Sequence, residues 1–285
     1  MPELPEVERV RRQLRPAMEG ATFLEVIANR PDLRGPLPRR FAARLEGIAV
    51  RELGRRGKYL VAKLTSGDVL LMPLGMSGSF RIETGGTAAV AAEMYYKQRQ
   101  ASVHDHIVFR MSSGAIVTFN DPRRFGSMDL LTSAALAKHR SVGSLGPEPL
   151  DESFTAAELA ATCRRRKTTL KAALMDQRVV AGLGNIYVCE ALHLARLSPR
   201  RRASILATAA GAPTPAAREL VKAIKSVMTR AIELQSRTPA DEDPDDRFRV
   251  YGREGLPCRR RGCKGVIKRI VQTGRSTFFC PVCQR

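Results

Sequence analysis

The sequence predicts an α+β multidomain protein: an N-terminal β domain with flanking helices, then a helical domain, then a four-cysteine β-hairpin. Three observations carry this. Residues 21–131 break into short β-branched and apolar segments separated by turn signals. After residue 150 the apolar residues recur at helical spacing. Four of the six cysteines fall within residues 258–285. For the first part the strand pattern leaves sandwich and barrel both open.

Residues 5–18 read as a helix, because Val7, Val10, Leu14 and Ala17 or Met18 fall on one face and Arg9, Arg11, Arg12 and Arg15 on the rest. Pro5 suits the first turn, and Pro16 predicts fraying near that point. Strands are expected at Thr22–Ala28, Gly47–Leu53, Tyr59–Leu64, Val69–Leu74, Ser79–Glu83, His106–Met111, Ala115–Asn120 and Met128–Leu131. Turns at Ser66-Gly67-Asp68, Ser112-Ser113-Gly114 and Asp121-Pro122 punctuate them, and 84–103 reads as a long loop. A connector rich in Gly and Pro follows at 132–150.

Thr155-Ala156-Ala157-Glu158 is a capping box that starts a helix. Thr168–Met175 is a second helix, and the turn Gly182-Leu183-Gly184-Asn185 opens a third that reaches Leu194. Thr214-Pro215 opens the longest, with Leu220, Ile224, Val227, Met228 and Ala231 on one face. The expected division is 2–131, a linker at 132–150, a helical domain at 151–235, an acidic loop at 236–247 and the cysteine-held tail at 248–285.

The chain has 285 residues and 44% hydrophobic content, enough for a sizeable core. No apolar run reaches the roughly 20 residues of a membrane span, and the acidic N-terminus lacks the apolar core of a signal peptide. These features point to a cytoplasmic protein. Its 48 Lys plus Arg against 28 Asp plus Glu give a formal charge of +20, which favours a polyanionic partner, nucleic acid first.

Chemistry concentrates in four places. Met1 precedes a small residue, so its removal is expected, leaving Pro2 as a terminal secondary amine beside Glu3 and near Glu6. A terminal amine with a pKa of about 7.7–8.0 beside a carboxylate is a nucleophile with an acid/base partner. Cys258-x4-Cys263 and Cys280-x2-Cys283 have the paired spacing of a structural zinc site, with Gly262 and Gly265 suited to the knuckles. Between the pairs, Gly265–Phe279 alternates like a hairpin with its turn at Thr273-Gly274-Arg275, flanked by many basic residues. Finally, Met76 and Phe125 place apolar bulk on loops, with Arg123 nearby. Apolar side chains with a cation can unstack a base step, although loop residues more often fold back on the core.

These residues resemble formamidopyrimidine-DNA glycosylases. The likeness spans the chain through Pro2-Glu3-Leu4-Pro5-Glu6-Val7-Glu8, Lys58-Tyr59-Leu60, Leu74-Gly75-Met76-Ser77-Gly78-Ser79, His104-Asp105-His106, Asp121-Pro122-Arg123-Arg124-Phe125-Gly126, Gly184-Asn185-Ile186-Tyr187, Val250-Tyr251-Gly252-Arg253 and the four cysteines. The resemblance implies an N-terminal β-sandwich carrying the terminal proline, a helix–two-turns–helix motif in the helical domain, and a monomer acting on double-stranded DNA with damaged bases or abasic sites. It implies that Pro2 attacks the deoxyribose C1′, with Glu3 as acid/base and Glu6 in support. Lys58 would assist β-elimination and Arg275 δ-elimination. Met76, Arg123 and Phe125 would fill the gap left by a flipped base, and His104, Arg123, Arg166 and Asn185 would hold phosphates. One structural Zn²⁺ is the implied metal.

Three departures stand out. Pro73 replaces the histidine common before Leu-Gly-Met. Residues 84–103 look long, and the Gly-rich lid usual after the helix ending near Leu234 gives way to Gln235-Ser236-Arg237-Thr238-Pro239-Ala240 and an acidic run. The alternatives are an endonuclease VIII-like enzyme for oxidised pyrimidines and a non-catalytic binder of damaged DNA.

Overall fold

The computed structural model describes residues 2–85, 87–91, 101–237 and 248–285. It divides into two units, Met1–Ser144 and Leu145–Arg285. In the first, helix α1 (Leu4–Met18) is followed by β1 (Phe23–Ala28), α2 (Phe41–Leu45), β2 (Val50–Arg56), β3 (Tyr59–Leu64) and β4 (Asp68–Pro73). Then come β5 (Ser79–Thr84), β6 (Thr87–Ala91), β7 (Asp105–Met111), β8 (Ile116–Asn120), β9 (Asp129–Thr132) and α3 (Ser133–Ala137).

The strands form two antiparallel sheets, β1-β7-β8-β5-β6 and β2-β3-β4-β9, which resolves the open choice in favour of a sandwich. Phe23, Phe80, Phe109 and Phe119 of the five-stranded sheet share one core with Leu53, Leu60, Leu70 and Met72 of the four-stranded sheet. Val7, Val10, Leu14 and Met18 of α1 complete it, on the face that their spacing predicts. Each such side chain contributes about 1.5–3 kcal/mol of burial.

The second unit holds α4 (Ala156–Cys163), α5 (Leu170–Met175), α6 (Asn185–Leu194), α7 (Pro215–Arg237), β10 (Lys268–Gln272) and β11 (Arg275–Phe279). Thr155 Oγ1 accepts from the Glu158 amide at 3.1 Å and caps α4. Strands β10 and β11 pair antiparallel, with Thr273 and Gly274, both at positive φ, at the turn. Val250, Cys258, Ile267 and Cys280 pack with Cys189 of α6, so the cysteine-held tail shares a cluster with a helix. No helix among the described residues is long and apolar enough to cross a membrane.

Helix α1 ends at Met18, two residues past Pro16 and as expected, with the Glu19 amide on Arg15 O at 2.9 Å. A proline this close to the C-terminus sacrifices one bond in a turn that frays anyway. Part of the expected loop at 84–103 is strand β6, paired with β5 from Thr84↔Thr87 to Phe80↔Ala91. Residues 92–100 lie outside the described residues. Helix α7 runs to Arg237, so Gln235, Ser236 and Arg237 are helical, and the acidic loop expected beyond them falls at 238–247, outside the described residues. Helices α2 and α3, five residues each, are too short to leave a periodic signal.

Candidate active site and metal centre

Glu3 is the N-cap of α1, and Pro5 sits in the first helical turn. The Glu3 amide donates to Glu6 Oε2 at 2.7 Å, the returning half of a capping box. Pro2 is buried, and Glu3 and Glu6 are 3% and 7% exposed. Two carboxylates therefore sit at the positive end of the helix dipole beside Pro2. Met1 lies outside the described residues.

Lys58 follows Gly57 in the two-residue turn between β2 and β3, rather than starting the strand. Glu8 ties this turn to α1. Its carboxylate meets Arg11 at 2.8 Å, Arg12 at 2.9 Å and Arg55 at 3.4 Å. Arg55 Nη1 in turn donates to Gly57 O at 2.8 Å. Burial pushes the Glu8 carboxyl up, but hydrogen bonds from Arg11 and Arg12 and the charges of Arg11 and Arg55 outweigh it and leave it below its ordinary value.

The Met76 loop and the Arg123–Phe125 loop form one assembly around Asp121, which is fully buried. Asp121 Oδ1 accepts from Ser77 Oγ at 2.5 Å, and Oδ2 accepts from the Gly126 amide at 2.8 Å. Gly75 has φ +62°, and a Cβ there would lie 2.3 Å from the Phe125 carbonyl carbon. Only glycine admits this approach. The Arg123 guanidinium lies 4.7 Å from the Phe125 ring centroid, and that ring is 41% exposed. His104 joins the assembly through its carbonyl, which accepts from the Asp121 amide at 3.1 Å. Pro73 ends β4, and its carbonyl accepts from the Ser127 amide.

In the second unit, Asn185 opens α6 and its Nδ2 donates to Ser276 O at 2.9 Å. Lys171, fully buried, donates from Nζ to Ser276 O at 3.0 Å and to Thr277 Oγ1 at 2.6 Å. Burial holds the Lys171 ammonium below its ordinary pKa, and the charge of Arg275 adds to this. Asn185 and Lys171 thus meet on the strand directly after exposed Arg275. Arg166 is engaged elsewhere, on Asp176 at 2.9 Å and on Thr162 O. Hydrogen bonds from Arg178 and Arg166 hold the Asp176 carboxyl far below its usual range against the opposing effect of burial.

The four cysteine sulfurs lie within 4.8 Å of one another, with Cys258–Cys283 at 3.8 Å and Cys263–Cys280 at 3.6 Å. Tetrahedral zinc with Zn–S bonds of about 2.3 Å needs sulfur pairs about 3.8 Å apart, so this donor set fits the ion. A Cβ on Gly265 would lie 2.5 Å from Cys280 Sγ, and Gly262 has φ +76°. Gly265 is therefore required by geometry, and the left-handed backbone at Gly262 favours glycine.

Comparison with known proteins bears on this geometry. The profile of the formamidopyrimidine-DNA glycosylase N-terminal domain matches residues 1–128, and that of the same enzyme's H2TH domain matches 145–242. A zinc finger found in FPG and IleRS matches 255–285. Over 293 residues the chain is 56% identical to formamidopyrimidine-DNA glycosylase from Bradyrhizobium sp. strain BTAi1, covering 100% of both. The chain belongs to the formamidopyrimidine-DNA glycosylase family. The Lactococcus lactis glycosylase bound non-covalently to DNA containing an AP site matches with TM-score 0.81 and 30% identity, covering 99% of each chain. A mutant of that protein in complex with DNA containing Fapy-dG also matches with TM-score 0.81 and 30% identity, covering 100% of each chain. The four cysteines are accordingly the ligands of one structural zinc ion.

Three buried residues of the second unit carry no motif in the sequence: Lys171 in α5, and Glu190 and His193 in α6. Glu190, in α6, accepts from the backbone amides of Arg249, Val250 and Tyr251, each at 2.9 Å. Burial pushes its carboxyl above the ordinary value, although the three amides oppose this. Their common signal is a charged or polar residue inside an apolar stretch, which becomes informative only when its partner far along the chain is known.

Proposed function

We propose that this protein excises oxidised purines, formamidopyrimidines and 8-oxoguanine, from double-stranded DNA and cleaves the resulting abasic site by β,δ-elimination. One observation carries the proposal: in a member of this family, Pro2 stands beside Glu3, which is the N-cap of α1 and is bonded through its amide to Glu6. With Met1 removed, the Pro2 secondary amine attacks C1′ of the damaged nucleotide. The base leaves with a proton, the sugar ring opens with Glu3 exchanging protons with it, and an iminium remains at C1′.

The iminium is an electron sink for the C2′–H bond. Loss of that proton, assisted by Lys58, expels the 3′ phosphate. A second elimination, assisted by Arg275, expels the 5′ phosphate, and water then releases Pro2. Met76, Arg123 and Phe125 fill the gap left by the flipped base, offsetting an unstacking cost of a few kcal/mol. His104, Arg123, Arg166 and Asn185 hold phosphates, with Arg166 acting from its place on Asp176. The zinc ion folds the tail that carries Arg275 and has no open position for chemistry. The proposal includes a monomer in the cytoplasm, associated with the nucleoid.

Borohydride trapping on abasic-site duplex DNA tests the chemistry. A covalent adduct is expected, with an intact mass showing loss of Met1. Absence of an adduct from protein with an exposed Pro2 amine would overturn it. Excision rates on formamidopyrimidine, 8-oxoguanine and thymine-glycol duplexes test the lesion class.

A further inference from the structure

Helix α6 is buried on nearly every face, so its polar side chains need partners inside the protein. Glu190 has three backbone amides. His193 is 0% exposed, with Nε2 3.3 Å from Cys258 Sγ. Its Nδ1 is buried with no hydrogen-bond partner among the described residues. The attachment is reinforced by Arg260, between Cys258 and Cys263, whose Nη2 donates to His193 O at 2.5 Å and to Leu194 O at 3.1 Å.

We propose that His193 belongs to the zinc centre without ligating the metal: it donates an Nε2–H hydrogen bond to the Cys258 thiolate, and this bond retains the ion. The inference rests on the zinc site, and not on the roles proposed for Pro2, Lys58 or Arg275.

Four thiolates around one Zn²⁺ leave two net negative charges, which hydrogen-bond donors stabilise. One such donor is the Gly265 amide, 3.4 Å from Cys263 Sγ. A neutral imidazole carries one N–H. On Nδ1 that proton would be a buried donor with no acceptor, while the Nε2 lone pair would face a thiolate. On Nε2 it meets the sulfur, and only an acceptor goes unmatched. The thiolate therefore selects the Nε2–H tautomer. Direct ligation by His193 would require a sulfur to leave, whereas the spacings of 3.8 and 3.6 Å already suit a tetrahedron of four sulfurs.

Proton–nitrogen NMR of the zinc-loaded full chain reads the tautomer directly. The Nε2–H form is expected, and substitution of ¹¹³Cd for zinc should show scalar coupling from the metal through sulfur to that proton. An Nδ1–H tautomer, a metal-ligated nitrogen shift or absence of the coupling would overturn the proposal. A second measurement is zinc release to excess chelator. His193→Phe, which fills the space without a donor, should release the ion about 10-fold faster or more, and His193→Gln, which keeps an N–H, should recover part of the difference. Release from His193→Phe at the wild-type rate would also overturn it. Should that variant fail to fold, the wild-type spectrum still decides.

Discussion

The Glu3 amide donates to the Glu6 carboxylate at 2.7 Å, so Glu6 governs Glu3 through the backbone as well as by its charge. Glu6→Ala removes the acceptor and loosens the first turn of α1, at a cost of about 1 kcal/mol in stability. Its larger effect should be on rate, because small misplacements of a catalytic group can cost up to about 100-fold. Glu6→Gln keeps an oxygen in place and should lose much less. Single-turnover trapping with borohydride measures this, and equal rates for the two variants would exclude a positioning role.

Glu8 should make stability depend on acid pH. Its native carboxyl lies below the ordinary value of 4.5, held there by Arg11, Arg12 and Arg55 against the effect of burial. Its contribution is therefore complete above that ordinary value and disappears as pH falls through the lower native one. Its side chain is 12% exposed, so removing it from the arginine cluster should cost about 1–3 kcal/mol, less than for a fully enclosed pair. Urea unfolding of the wild type and Glu8→Gln should show this gap at pH 7 and a shrinking gap toward pH 3. A constant gap would contradict the ion-pair account.

Asp121 should matter for duplex substrates more than for single strands. Asp121→Ala leaves the Ser77 hydroxyl and the Gly126 amide without their shared acceptor, destabilising the protein by about 2–4 kcal/mol. The Met76 and Phe125 loops then lose their common anchor. Excision of a damaged base from a duplex should fall at least about 10-fold, whereas cleavage of a single-stranded abasic oligonucleotide, with no stack to fill, should change little. Equal losses on both substrates would show that the loops do not act as a wedge.

Zinc removal offers a fourth check. The ion joins residues from both ends of the tail, and Cys258, Cys280 and Val250 pack with Cys189. Chelation should unfold residues 248–285 and abolish DNA binding, as seen by loss of amide protection there and of a gel shift. Unchanged affinity after verified loss of metal would remove the tail from the interface.

What was legible beforehand follows the physics of each element. Helix α1 announces itself because Val7, Val10, Leu14 and Met18 make one continuous stripe. Strand β6 does not, since Thr87-Ala88-Ala89-Val90-Ala91 has little of the β-branched bulk that marks a strand, and pairing with β5 defines it. The cysteines were legible because a tetrahedral ion imposes short spacings within each pair. Lys171 was illegible, since a lysine on a short helix ordinarily points to water. Its partners Ser276 and Thr277 lie 105 and 106 residues further on.

That lysine supports the last prediction. Its Nζ reaches Ser276 O and Thr277 Oγ1, and Asn185 Nδ2 reaches the same Ser276 carbonyl. Together they anchor β11 at Ser276 and Thr277, directly after Arg275, its first residue beyond the hairpin turn. Lys171→Met preserves much of the volume but removes the donor, so Thr277 Oγ1 and part of the Ser276 carbonyl's satisfaction are lost. If Arg275 assists only the second elimination, the first should proceed at close to the wild-type rate. The fraction of β,δ-product should fall about 5- to 10-fold, with the β-product accumulating, because a reacting group held loosely loses its advantage in orientation. Gel analysis of the 3′ ends on an abasic duplex separates the two products. An unchanged product ratio would mean that Arg275 needs no anchoring by Lys171, whereas a parallel loss of both products would place Lys171 in folding or DNA binding.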